Sequence, residues 1–122
     1  MDWDEIEEKI QELETEYGVS VKYQRWDQKN NWVSIAFGCE GGFIAEKVAE
    51  KYAKKIGYYT YSPEDTTEIH EAWHFILYNI PLEIAEEELE KAFKEMKNIQ
   101  EETKAATEKL NQSILKQAGL LD

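Results

Sequence analysis

The first apolar positions fall at Trp3, Ile6, Ile10, Leu13 and Tyr17. Steps of three and four place them on one face of a helix and turn Glu5, Glu8, Glu12 and Glu16 toward solvent. Asp2 or Asp4 can cap its start, early acids suit the positive end of the helix dipole, and Gly18 ends it. The period then changes to two. Val19, Val21 and Tyr23 alternate with polar residues, so Val19–Trp26 is expected to be a strand. Asp27–Asn31 has the composition of a turn, and Trp32–Phe37 that of the returning strand. Gly38-Cys39-Glu40-Gly41-Gly42 reads as a loop. Phe43–Ile56 reads as a helix that Gly57 stops.

A second unit follows the same order. Tyr58–Tyr61 is strand-like, Ser62–Thr67 turn-like with Pro63, and Trp73–Tyr78 apolar and aromatic; Asn79-Ile80-Pro81 leads into a third helix. Residues 43–56 (FIAEKVAEKYAKKI) and 83–96 (EIAEEELEKAFKEM) echo one another at an offset of forty. That offset aligns Ile44 with Ile84, Ala45 with Ala85, Glu46 with Glu86, Glu50 with Glu90, Lys51 with Lys91 and Lys54 with Lys94. Trp32–Phe37 matches Trp73–Tyr78 at forty-one. The expected fold class is therefore α+β, α-ββ-α-ββ-α, with a four-stranded mainly antiparallel sheet and a long C-terminal helix. Residues 1–97 form a single α+β domain with an internal ββα duplication, 19–56 and 58–96. Residues 98–122 form a helical extension.

The third helix does not stop where its counterpart does. Leu89, Ala92, Met96, Ile99, Thr103, Ala106 and Leu110 alternate steps of three and four. No proline or glycine interrupts the pattern before Gly119. A helix over residues 84–115 would be about 48 Å long, against roughly 30 Å for a small domain. The overhang needs a cover, and these seven residues are read as a seam for self-association, with packing on the chain's own domain as the opposing reading.

Length and composition fit one soluble domain: 122 residues, 42% hydrophobic and 33% charged. Ala72–Leu82 is the longest nearly charge-free stretch and is too short to span a bilayer. Cys39 is the sole cysteine, which excludes an internal disulfide and points to a reducing cytoplasm, bacterial or that of an infected host. The acidic, amphipathic N-terminal segment does not read as a signal peptide. The net charge of −12 is uneven. Residues 1–17 carry eight acids against Lys9, whereas residues 18–57 come to +3. Such a surface repels nucleic acid and anionic membranes and attracts a basic protein.

One sequence motif suggests chemistry. His70-Glu71-Ala72-Trp73-His74 is an HExxH sequence and resembles the zincin metallopeptidases. Over these five residues the resemblance implies His70 and His74 as zinc ligands and Glu71 as general base, with Glu86, Glu87 or Glu90 as a third ligand. Ser62-Pro63-Glu64-Asp65 would serve as a helix start for such a site. The chemistry requires a helix, because residues four apart in a strand lie about 13 Å apart. The duplication puts Trp73–Tyr78 in a strand, so no catalytic or metal site and no cofactor is favoured. The glycine loop lacks the Lys-Ser/Thr of a phosphate-binding loop. Cys39 has no evident activating cation. Trp26, Trp32, Tyr58, Tyr59, Tyr61 and Trp73 lack the basic surroundings of a base-stacking sheet.

The reading that remains is a small acidic, non-enzymatic binding protein. It is expected to inhibit a basic partner by occupying its nucleic-acid-binding surface, as small acidic proteins of phages and other mobile elements do to host defences. Glu5, Glu8, Glu12 and Glu16, with Glu86, Glu87 and Glu90, would supply the charge. A minimal zinc hydrolase and a structural oligomeric subunit are the alternatives.

Overall fold

A computed structural model describes residues 2–39, 42–53, 59–63 and 74–119. The chain is α+β, with an antiparallel sheet and a long C-terminal helix. Its elements run α1 (Trp3–Tyr17), β1 (Tyr23–Asp27), β2 (Trp32–Cys39), α2 (Gly42–Ala53), β3 (Tyr59–Pro63), β4 (His74–Pro81), a 3-10 turn (Leu82–Ile84) and α3 (Ala85–Gln117).

Asp2 caps α1, its carboxylate accepting from the Glu5 amide at 2.9 Å. Gly18 closes the helix in the left-handed region, φ 66°, and its amide returns to the Glu14 carbonyl. Ile6, Ile10 and Leu13 are fully buried; Trp3 and Tyr17 are half-buried at the two ends.

The strand after α1 begins later than the alternation of Val19, Val21 and Tyr23 suggests. Gly18 redirects the backbone, and the Glu14 carboxylate takes the Val21 amide at 3.0 Å. Val19 is buried without being part of the strand, and the ladder starts at Tyr23. The inward parity changes across this bend. Trp26 pairs with the buried Val33, whereas Tyr23 pairs with Ala36 on the opposite face and is 46% exposed. At the β1–β2 turn, Asp27 accepts from the Asn30 amide and side chain, at 3.1 and 2.8 Å. Asn31 sits at φ 57°, a conformation asparagine tolerates. The Asn30 contacts, side chain first, hold the Asp27 carboxyl below its ordinary range.

The pairing is antiparallel throughout, in the order β1-β2-β4-β3. The central pair, β2 with β4, sets Val33 opposite Ile80, Ile35 opposite Tyr78 and Phe37 opposite Ile76, all turned to one face. The three helices pack on that face as one cluster with Leu89, Phe93, Met96 and Ile99 of α3. No described helix packs on the other face, where Ser34 donates to Asn79 Oδ1 at 2.8 Å across the same two strands.

The proposed seam divides at Thr103. Leu89, Ala92, Met96, Ile99 and Thr103 are buried in the chain's own core, so they are not free to form an intermolecular seam. Packing on the body thus runs past residue 97. Ala106 is half-buried, and Leu110, Ile114 and Leu115 are 47%, 54% and 41% exposed. No helix among the described residues is long and apolar enough to cross a membrane.

Candidate acidic binding surface

The stripe that buries Ile6, Ile10 and Leu13 dictates where the acids of α1 go. Glu5, Glu8, Glu12 and Glu16 are all exposed. Glu8, Glu12 and Glu16 follow one another at i,i+4, so neighbouring carboxylates are about 6 Å apart. Residues 2–17 hold Lys9 as their one cation and carry −7. Among the described residues, none of these four glutamates forms an ion pair.

Glu86 and Glu87 are also exposed, in the first turn of α3, and Glu90 lies one turn further on. The packing of α1 against α3 brings two of the predicted groups together at Tyr17. Burial raises the Tyr17 phenol above its ordinary value. The charges of Glu16 and Glu90, and a Glu90 carboxylate within hydrogen-bonding reach of the hydroxyl, raise it further. Tyr17 is therefore the point where the carboxylate row of α1 meets that of α3. Sequence periodicity gave the exposed row; it gave no sign of the Tyr17–Glu90 junction, which depends on how two helices 73 residues apart pack.

The alternative zinc site would require a helix running from His70 through His74. His74 is the first residue of β4, paired with Cys39 and Pro63. Its backbone is extended, not helical; His70 and Glu71 lie outside the described residues. Glu86, Glu87 and Glu90 do not converge on His74. A groove of about 530 Å³ brings Thr103, Lys104 and Thr107 of α3 against Gly38, which adjoins the Cys39–His74 pair. Glu90 is thirteen residues up the helix from Thr103, or about 20 Å. The three glutamates belong to the opposite end of the sheet, where β4 gives way to α3. Among the described residues, no group of three His, Cys, Asp or Glu side chains is placed to hold a metal.

Of the other aromatic candidates, Trp26 serves packing and Trp32 is open to solvent. Trp26 stacks on Trp3 at 5.9 Å and ties the start of α1 to the end of β1. Trp32 is 40% exposed on the face without helices. Tyr58 and Trp73 lie outside the described residues. No protein-family model, curated protein or solved structure matches this chain.

Proposed function

We propose that this chain is a small acidic binding protein without catalytic activity of its own. It inhibits a basic partner by covering that partner's nucleic-acid-binding surface, in the manner of phage and mobile-element proteins that disable host defences. The observation that carries this reading is the solvent face of α1. It presents four exposed glutamates that form no ion pair among the described residues, with Lys9 the one cation on the helix, extended through Tyr17 to Glu90. A row of carboxylates about 6 Å apart on a rigid helix offers a basic groove what a phosphate strand offers it. Phosphate-binding surfaces are also rich in arginine, which pairs with carboxylates in the same bidentate geometry. We further read the body as two ββα units related by duplication. The supporting feature is that Ile35 and Phe37 and the residues forty-one further on, Ile76 and Tyr78, pair crosswise at the centre of the sheet.

The test uses the full chain immobilised on a resin, exposed to a cell lysate at low salt. Basic nucleic-acid-binding proteins should be retained and then released steeply as salt rises. A purified retained protein should lose its grip on a labelled oligonucleotide when the chain is added. The triple variant Glu8→Lys/Glu12→Lys/Glu16→Lys should fail in both respects while keeping its circular dichroism spectrum. Unchanged inhibition by a folded triple variant would exclude this reading.

A further inference from the structure

We propose that the distal part of α3, residues 104–117, pairs antiparallel with the same segment of a second copy of this chain. The stripe Ala106, Leu110 and Ile114 of each copy closes on that of the other. The inference goes beyond the acidic-surface reading and does not depend on it.

The first ground is continuity of the helix face. At 100° per residue, Met96, Ile99, Thr103, Leu110 and Ile114 fall within an arc of about 60°. The first three are buried and the last two are about half exposed. The helix therefore presents outside the body the same face that it buries within it. Fourteen residues extend past Thr103, a length at which an isolated helix is marginal in water. Of the five exposed large hydrophobic residues among those described, three lie on this overhang.

The second ground is charge, which selects the occupant and its direction. Lys104, Lys109 and Lys116 against Glu108 give residues 104–117 a charge of +2. Residues 1–103 hold 24 acids and 11 bases, or −13. A basic apolar arm calls for an acidic partner, and the body of a second copy is one. Parallel pairing would set two bodies of −13 side by side. Antiparallel pairing sends each basic tip toward the other copy's acidic body. It also holds the bodies apart by about 21 Å of helix, more than two screening lengths at physiological salt.

Fourteen-residue helices joined along one stripe bury less than the roughly 1,200 Å² at which stable interfaces begin. The dimer is accordingly weak and reversible.

Sedimentation velocity between about 5 and 500 µM tests the association, over the range where an interface of this class forms. The wild-type chain should pass from monomer to dimer as concentration rises. The double variant Leu110→Asp/Ile114→Asp should remain monomeric throughout with an unchanged circular dichroism spectrum, because both side chains are exposed in the single chain. A wild type that stays monomeric at the highest concentration overturns the proposal, as does a double variant that still dimerises. Direction is read by spin labels at the exposed Lys97→Cys in a Cys39→Ser background. Antiparallel pairing puts the two labels about 40 Å apart, and parallel pairing about 10–15 Å. The short distance would overturn the assigned direction.

Discussion

Phe93 stands edge-on to Phe37, with ring centres 5.1 Å apart and planes 87° from parallel. Tyr78 also meets Phe37 edge to face, at 5.9 Å and 86°. Edge-to-face contacts of this kind add to the burial of the rings themselves. Both phenylalanines are fully buried, so this contact fixes α3 against the central strands. Replacing Phe93 with Ala should cost about 3–5 kcal/mol in urea-induced unfolding. A loss below about 1.5 kcal/mol would show that the site collapses readily and that the helix is held elsewhere.

Tyr17 gives the acidic surface a spectroscopic reporter. Its phenol is raised by burial first, then by the negative charges of Glu16 and Glu90. A phenol raised in the folded chain favours folding at any pH below the unfolded value of about 10, and that contribution is lost as pH climbs through the higher folded value. The ultraviolet titration of Tyr17, obtained by difference against Tyr17→Phe, should therefore lie above pH 10. Glu16→Gln and Glu90→Gln should each bring it down. A titration unmoved by Glu90→Gln would place Glu90 away from the hydroxyl and break the junction between the two acidic rows.

Thr103 marks the boundary between packed and overhanging helix. It is 7% exposed, and its hydroxyl has no hydrogen-bond partner among the described residues. A buried polar group without a partner costs on the order of 1–3 kcal/mol. Thr103→Val keeps the branched shape and removes the hydroxyl. It should raise the unfolding free energy by about 1 kcal/mol. A decrease would mean that water or another group satisfies the hydroxyl in solution.

The spacing of Ile6, Ile10 and Leu13 made α1 legible, because a helix buried along one stripe must repeat its apolar residues at that period. The carboxylate row followed from the same spacing. The strand before Trp26 was less legible. Val19, Val21 and Tyr23 share a parity in sequence, but the left-handed Gly18 and the Glu14–Val21 contact bend the chain between them, and only the even positions of β1 turn inward. Periodicity also cannot name the cover of a stripe. Leu89 through Thr103 carries the same signal whether it meets its own sheet or another chain, and here it meets its own sheet. Likewise the Glu-rich start of α3 could be seen in the sequence, but its distance from His74 could not, since that depends on the direction in which α3 crosses the sheet.

Residues 85–117 are one unbroken helix, clamped at Phe93 and exposed from Glu108 onward. With no glycine or proline along its length to act as a hinge, it behaves as a lever. A pull on the tip is transmitted as torque to the core, so whatever grips the tip also bears on the packing around Phe37.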